Sequence, residues 1–273
     1  MKQIKRSTSI INVEQIFDII EQGTTMPVRC RLENGDNVVV KYMKNPMGEK
    51  ILVNEWIGTN IADFIGLTVP EYGICDFTLE AIKHTNENEE INELNAGKSF
   101  YTKDYSKSLP IIRGMLNRVE NRETEKIILF DHLVNNKDRH DGNLLCNISK
   151  GARLLVIDNS HIITDEPHHP FIISEALDEA YILSNDILLK NQSIYDSLCF
   201  EVGYSEDKLM EYATEIKYSL TNDILEDIRQ RIPVEWVNVL GETRVNQLFE
   251  VLNKRLSLIE NIAKMIIEER RRL

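Results

Sequence analysis

One stretch near the middle of the chain carries residue types that suit phosphoryl transfer. Residues 135–143 read N-N-K-D-R-H-D-G-N, so that Asp138 and Asn143 have the spacing D-x-x-x-x-N. A second acid, Asp158, follows an apolar run further on. Kinase catalytic loops use an Asp to accept the substrate hydroxyl proton, an Asn five residues later, and a later Asp that holds Mg²⁺. Mg²⁺ is usually held by only one or two carboxylates together with phosphates, so this spacing predicts a metal–phosphate site.

The same residue types are also ordinary in turns. Asp, Asn, Gly and Arg are common turn residues, and D-x-x-x-x-N alone often occurs by chance. The context favours the site over a plain hairpin, because an apolar helical run precedes the loop. Two short apolar runs also flank the residues between the loop and Asp158, and Asp158 directly follows the second run.

A predicted hairpin upstream supplies further candidates. Residues 26–32 and 37–42 read as two strands, since Asn34-Gly35 between apolar runs is a strong hairpin signal. The second strand ends its β-branched run on Lys41. This lysine is either a solvated edge residue or the strand lysine that pairs with nucleotide phosphates in kinases. The loop Gly23-Thr24-Thr25 is a candidate to cover those phosphates, although it contains a single glycine.

Two helices are predicted beside this hairpin. Residues 12–22 have helically spaced isoleucines, and residues 49–65 form the second helix. In the second helix, Glu55 shares a face with small residues such as Gly58, which permit close approach to a sheet. A carboxylate buried on such a face needs a partner. We expect an ion pair with Lys41 within about 4 Å; the alternative is an exposed glutamate on a surface helix.

The bulk composition excludes several classes of protein. The 273 residues are 42% hydrophobic and 28% charged, which is typical of a soluble globular protein with one large domain or two lobes. A net charge of −12 argues against direct binding of nucleic acid or of an anionic membrane. The four cysteines include no C-x-x-C pair and indicate reduced thiols. No signal peptide or spanning segment is visible, so we expect a cytoplasmic protein.

The order of predicted elements gives a fold class. A hairpin, a helix and further strands precede a mostly helical second half, and helix 122–134 leads directly into the loop. Asp131 and His132 in that helix are expected on its surface. This order predicts an α+β, two-lobed fold like that of protein kinases. The small β-rich N-lobe would span residues 1–84, and the mostly helical C-lobe residues 85–273.

The chain resembles the HipA-like kinases, in particular the short bacterial family that lacks the extra N-terminal subdomain of longer HipA toxins. The resemblance covers roughly residues 23 to 236, and the Asp-Arg-His-x-x-Asn form is also similar to phosphatidylinositol-type kinases. The matching segments are Val40-Lys41, Asn45-Pro46-Met47-Gly48, Asn54-Glu55-Trp56, Leu67-Thr68-Val69-Pro70-Glu71, residues 136–143, Ile157-Asp158 and Ile232-Pro233-Val234-Glu235-Trp236.

This resemblance implies ATP- and Mg²⁺-dependent phosphorylation of a protein serine or threonine, and in some members a toxin role with an antitoxin partner. By position, Asp138 would be the catalytic base, and Asn143 and Asp158 would hold Mg²⁺. Asn159-Ser160 follows the metal Asp where other kinases have Phe-Gly. That departure removes the basis for a phenylalanine switch but leaves the metal role of Asp158.

The resemblance also assigns supporting roles. Lys41 would contact the nucleotide phosphates, Glu55 would position Lys41, and Arg139 and His140 would support the catalytic loop. Three functions remain open from the sequence: a protein kinase, a kinase of a small molecule or lipid (or a related nucleotidyl transferase), and a binding module without catalysis. The intact set of site residues argues against the third.

Overall fold

The computed structural model describes residues 5–21, 24–84, 91–92, 95–104, 108–111, 113–120, 122–147, 153–163 and 173–272. Gly23, the only glycine of the predicted phosphate loop, lies outside these ranges. The described residues form an α+β structure in two lobes, the first rich in strands and the second helical. Within these ranges, no helix combines the length and apolar character needed to cross a membrane.

A closed five-stranded barrel forms the first lobe, with strand order β1-β2-β3-β5-β4. The β2–β3 hairpin is the predicted one, and Gly35 in its turn has a φ of +86°, a left-handed conformation that favours glycine. Alternate residues of β2 face the interior, as the two-residue period of a strand requires. The strands are β1 (Ile11–Ile19), β2 (Val28–Leu32), β3 (Asn37–Lys41), β4 (Tyr72–Phe77) and β5 (Gly97–Lys103).

Strand β1 corrects the predicted helix over residues 12–22. Val13 and Ile16 are buried and Ile19 is half-buried, so the inward-facing residues recur at every third position. This spacing resembles a helical period but arises from two register shifts against β2, one after Val13 and one after Ile16. Each bulge adds a residue that faces neither side regularly, and the helix prediction was therefore wrong.

Strand β5 bears on the boundary between the lobes. It follows residue 84 in sequence but pairs with both β3 and β4, so the barrel continues past the expected boundary. A division at residue 84 would remove one strand from a closed barrel. We propose that the first lobe extends to Lys103, since the polar residues after His84 lie within the lobe's sequence rather than at its end.

The second lobe is built around helix α4, which leads into the predicted catalytic loop. Helices α9, α12 and α13 pack on α4, and a small sheet with the order β6-β7-β8 takes one strand from before α4 and two from after it. The elements are β6 (Leu109–Pro110), β7 (Leu144–Asn147), β8 (Arg153–Val156), α3 (Arg113–Leu116), α4 (Thr124–Leu133), α5 (Ile173–Ala176), α6 (Glu179–Ile182), α7 (Asp186–Lys190), α8 (Gln192–Glu201), α9 (Glu206–Ser219), α10 (Asn222–Gln230), α11 (Val234–Leu240), α12 (Glu242–Ser257) and α13 (Ile259–Arg272).

Helix α1 (Lys50–Phe64) connects the two lobes, while the short helix α2 (Leu79–Lys83) packs on β1. Thirteen of the fifteen residues of α1 are buried, including polar ones on several faces. Its apolar side chains belong to the same core as those of α4 and of the C-terminal helices. A helix that is buried all round is enclosed by its neighbours, and α1 therefore has a position fixed by both lobes.

Candidate active site at the junction of the lobes

A buried cluster of charges joins the two lobes at Lys41. This residue ends β3, and its Nζ forms an ion pair with Oε1 of Glu55 on α1. The same Nζ donates to Asp158 Oδ1 and to Ser160 Oγ, each at 2.9 Å. Lys41 is 8% exposed and Glu55 2%. The predicted ion pair is confirmed, and the alternative of an exposed Glu55 is wrong.

The surroundings of these groups favour a charged lysine and a charged aspartate. Burial alone would lower the pKa of Lys41, but the carboxylates of Asp158 and Glu55 raise that pKa above its ordinary value. Burial raises the pKa of the Glu55 carboxyl, and the adjacent ammonium opposes this effect. Burial also acts to raise the pKa of Asp158, yet Lys41 and the hydrogen bonds of Ser160 bring it below its usual range.

Arg139 holds the predicted catalytic loop from inside the second lobe. Its guanidinium pairs with Asp131 of α4 at 2.9 Å, and both side chains are 0% exposed. Nη1 donates to the backbone carbonyls of Asn143 and Ile157, each at 3.0 Å. One buried cation thus connects the loop to the segment that carries Asp158. The expectation that Asp131 and His132 lie on the helix surface was wrong, because both are fully buried.

The backbone on either side of Asp138 is fixed, while Asp138 itself is exposed. Asn136 Oδ1 accepts from the Asp138 N–H at 3.0 Å, and Asn143 Nδ2 donates to the Asp138 carbonyl at 2.7 Å. Asn191 Oδ1 accepts from the Arg139 N–H at 3.0 Å, and its Nδ2 donates to the Asn136 carbonyl at 2.9 Å. The arrangement holds the Asp138 carboxylate on a rigid loop.

The backbone segments that carry Asn143 and Asp158 are joined, because the Ile157 N–H donates to the Asn143 carbonyl at 3.2 Å. The side-chain nitrogen of Asn143 donates to the Asp138 carbonyl, which leaves the side-chain oxygen of Asn143 as a ligand for a cation. Among the described residues, no group of three or more His, Cys, Asp or Glu side chains could hold a metal. One amide and one carboxylate oxygen suit a hard divalent cation that takes its other ligands from phosphate and water.

The remaining predicted residues have more peripheral places. His140 is exposed, and its Nδ1 accepts from the Gly142 N–H at 3.0 Å, which caps the short 3₁₀ turn at residues 141–143. Thr24 is exposed and Thr25 is buried in the turn before β2. Within the described ranges, no hydrogen bond connects either threonine to Lys41. Gly23 lies outside those ranges, so the predicted phosphate loop stays a prediction.

Asn159 and Ser160 occupy the junction between Asp158 and α1. The Asn159 N–H donates to Glu55 Oε2 at 3.1 Å, and Ser160 Oγ donates to Asp158 Oδ1. A Cβ placed on Gly58 would lie 2.5 Å from Asn159 Cβ. The small residue on α1 therefore permits close approach of residues 159–162, and not of a sheet as the sequence suggested.

Three residues of the site carry no signal in the sequence. Asn191 and Tyr195 lie on or beside a later helix, and Tyr195 donates its hydroxyl to Asp131 Oδ2 at 3.0 Å. In the sequence, Ser160 stands out only as a departure from Phe-Gly. Each of them contacts the loop or its support through space, and none stands at a motif spacing from Asp138.

Two solved structures share the fold. A Helicobacter pylori proinflammatory kinase, CtkA, superposes with a TM-score of 0.58 at 14% identity, covering 94% of this chain and 98% of that one. A Golgi casein kinase with Mn/ADP bound gives a TM-score of 0.56 at 10% identity, covering 95% of this chain and 74% of the other. At such identities the likeness shows the fold alone, and it confirms the predicted two-lobed kinase-like fold.

Sequence relationship is more specific than this structural likeness. No curated protein matches the chain. The model of a protein family described as HipA-like kinase, however, matches residues 13–263, which include the barrel, α1 and most of the helical lobe. This match confirms the resemblance seen in the sequence, and the chain belongs to the HipA-like kinase family.

Proposed function

We propose that this protein transfers a phosphoryl group from ATP to a serine or threonine of another protein, and that it requires Mg²⁺. The observation that carries the proposal is the contact of the buried Lys41 with both the buried Glu55 and the half-buried Asp158. It joins a cation from the barrel to a carboxylate beside the catalytic loop. Membership in a family of kinases supports the reaction type, and the family resemblance favours a protein substrate.

Four side chains at the junction of the lobes together bind the nucleotide phosphates and the metal ion. The Lys41 ammonium binds the phosphates, and Glu55 holds it in place from the buried side. Asn143 and Asp158 would hold the Mg²⁺ through one amide and one carboxylate oxygen. The ion neutralises charge on the β- and γ-phosphates when it is bound. These side chains bring the phosphates to the junction of the lobes.

Asp138 accepts the proton of the attacking hydroxyl. Its side chain is exposed, which leaves room for a protein substrate, while the backbone on both sides is fixed by Asn136, Asn143 and Asn191. Arg139 acts as a positioning residue below the loop, and His140 caps the turn that follows. A base on a fixed loop loses little freedom when the substrate binds.

Replacement of Asp138 tests the proposal. Asp138→Ala should lower phosphoryl transfer by roughly 10²–10⁴-fold without unfolding the chain, because the side chain is outside the core. Radiolabelled ATP is added to a cell lysate with purified enzyme, and label is counted in the protein and small-molecule fractions. Asp141→Ala, a change of an exposed acid in the same loop, is the control.

Two results would count against the proposal. An Asp138→Ala protein that melts and turns over like the wild type would remove Asp138 from the mechanism. Label that appears only in the small-molecule fraction would replace the protein substrate with a metabolite or lipid headgroup.

A further inference from the structure

Both tryptophans of the chain lie where helices of the second lobe meet the first. The sequence contains two, Trp56 on α1 and Trp236 on α11, and both are buried. The indole N–H of Trp56 donates to the Ile228 carbonyl of α10 at 3.0 Å. The indole N–H of Trp236 donates to the Lys98 carbonyl of β5 at 2.7 Å. Each indole therefore forms a hydrogen bond to backbone of the opposite lobe.

Further contacts hold helix α10 against α1. Arg6, which precedes the barrel, pairs with Asp227 of α10 at 3.1 Å. Its guanidinium also lies 5.8 Å from the centre of the Trp56 ring and donates to Asn60 Oδ1 of α1 at 2.8 Å. Ion pair, cation–π contact and indole bonds thus act on the same junction, away from the face of α1 that carries Glu55.

Each tryptophan hydrogen bond lies close to one member of the Lys41–Glu55 pair, in the helix or in the sheet. Trp56 follows Glu55 directly, and neighbouring residues of a helix point about 100° apart. Trp56 is therefore bonded to α10 while Glu55 is bonded to Lys41. Trp236 is bonded to β5, which pairs with β3 so that Phe100 stands opposite Lys41. One indole fixes the helix that carries Glu55, and the other fixes the strand beside Lys41.

A buried indole commonly fills a core and finds one partner for its N–H. Two features go beyond that role. Both N–H partners lie across the lobe boundary, and α1 is enclosed on nearly all its residues. For the backbone at Glu55 to move away from Lys41, α1 would have to break its contacts with α10 and with residues 159–160.

We propose that Trp56 and Trp236 are positioning residues for phosphoryl transfer. Through them, helices α10 and α11 hold α1 so that Glu55 is paired with Lys41 before nucleotide binds. The enzyme then needs no phosphorylation and no activating protein to bring α1 into place. This inference rests on the phosphotransferase function proposed above, although the held position of α1 can be measured without it.

Conservative variants separate this role from plain core packing. Trp56→Phe and Trp236→Phe keep an aromatic ring and remove the N–H donor. Ile262→Val is the control: it is a small loss of fully buried volume in α13, a helix that carries neither tryptophan. Since the chain has two tryptophans, each variant also leaves one as a fluorescent reporter of the junction.

The measurements are hydrogen exchange of α1 peptides without nucleotide, acrylamide quenching of the remaining tryptophan, and steady-state kinetics. We expect faster α1 exchange and stronger quenching in both tryptophan variants. We also expect kcat to fall about five- to tenfold, as the loss of one buried hydrogen bond predicts, with a smaller change in the KM for ATP. The Ile262→Val control should leave α1 exchange and kcat at wild-type values, and phosphatase-treated wild type should keep its activity.

Several results decide against the inference. It is overturned if the tryptophan variants match Ile262→Val in α1 exchange and in kcat, or if phosphatase treatment abolishes wild-type activity. A wild type that transfers no phosphate would refute the proposed function, and α1 exchange would then decide the positioning claim alone. Should a tryptophan variant fail to fold, Asp227→Ala removes a half-exposed partner of Arg6, and unchanged α1 exchange in that variant would refute the claim.

Discussion

The two carboxylate oxygens of Asp158 have different surroundings. Oδ1 accepts from Lys41 Nζ at 2.9 Å and from the hydroxyl of Ser160. Among the described residues, no hydrogen bond reaches Oδ2. With one oxygen held by the barrel lysine, the carboxylate keeps a fixed orientation and offers its other oxygen to a cation. This arrangement explains how a serine at position 160 can take the place of a glycine without loss of the metal role proposed for Asp158.

His132 should make the free energy of unfolding depend on pH. Burial lowers the pKa of its imidazole to about 3, and among the described residues its Nε2 has no hydrogen-bond partner. Below a pH of about 6.5 the unfolded chain binds a proton that the folded chain cannot. This residue should therefore cost about 1.4 kcal/mol per pH unit between those values, or about 2 kcal/mol at pH 5. His132→Phe should remove that part of the slope in denaturant titrations at several pH values.

The matched control is His84→Gln, which changes an exposed histidine. Carboxylates titrate equally in both proteins, so the difference between the two slopes isolates His132. Phenylalanine also preserves the stacking of the ring on Tyr195, whose centroid lies 6.4 Å away. Equal slopes for His132→Phe and wild type would show that folding does not lower the pKa of His132.

At the level of residues, the sequence could predict which members of the candidate site lie in one place wherever a motif fixes their spacing. Asp138 and Asn143 lie in one short loop, and Asp158 follows a strand that pairs back onto it, so local chain geometry brings them together. Asp131 and Asn191 could not be predicted in this way. Asp131 reads as a polar helix residue until Arg139 is seen to be buried against it, and Asn191 is separated from the loop by several helices.

At the level of elements, α1 is buried on all sides and therefore lacks the amphipathic pattern of a surface helix. Its buried polar residues have partners: Asn54 Nδ2 donates to the Ser160 carbonyl at 2.6 Å, Glu55 pairs with Lys41, and Asn60 Nδ2 donates to the Trp56 carbonyl at 2.7 Å. Thirteen of its fifteen residues are buried, so the helix has no solvent face. The spacing of apolar residues in the sequence can predict such a helix, but it does not indicate which side of the helix packs on which neighbouring element. The same limit explains β1, where bulges moved the buried positions onto a helical spacing.

Gly58 should be intolerant of a methyl group. A Cβ there would lie 2.5 Å from Asn159 Cβ and 3.0 Å from Ile162 Cδ1, so the segment after Asp158 would have to shift. Overpacking costs typically 1–3 kcal/mol, which exceeds the gain of about 1 kcal/mol from alanine in a helix. We expect Gly58→Ala to lower the melting temperature by a few degrees and to reduce kcat, because Asn159 bonds to Glu55.

Gly114→Ala is the matched control, since it also places alanine in a helix but meets nothing within 4 Å. It should leave kcat unchanged and the melting temperature unchanged or slightly raised. If Gly58→Ala behaves like Gly114→Ala in both measurements, the close approach of α1 to residues 159–162 is not as tight as described.

At the level of the whole molecule, the net negative charge means that nucleotide binding at the proposed site needs positive charge from Lys41 and from a bound cation. The chain carries a net charge of −12, and Asp138 and Asp158 lie close to where phosphates are proposed to bind. Lys41 is already shared between Glu55 and Asp158. Its single positive charge cannot compensate several phosphate charges and both carboxylates, so nucleotide binding should depend on an added divalent cation.

Thermal stability should therefore rise more with ATP and Mg²⁺ than with ATP and a chelator. At a ligand concentration near 100 times its dissociation constant, binding stabilises the fold by about 2.7 kcal/mol. At roughly 2–4 °C per kcal/mol for a chain of this size, the melting temperature should rise by about 5–10 °C. Differential scanning fluorimetry of wild type in the two conditions measures the difference.

The variant Asp158→Ala connects that shift to one residue. It should abolish the Mg²⁺-dependent part, because it removes the only carboxylate proposed to hold the ion. Binding of metal-free ATP should persist or improve, since a repelling charge beside the phosphates is gone and Lys41 is released from one partner. Asp141→Ala, which changes an exposed acid of the same loop, should keep the full shift. An equal shift with and without Mg²⁺ in the wild type would mean that nucleotide binds without this metal site, and a binding module would then explain the fold better than a kinase.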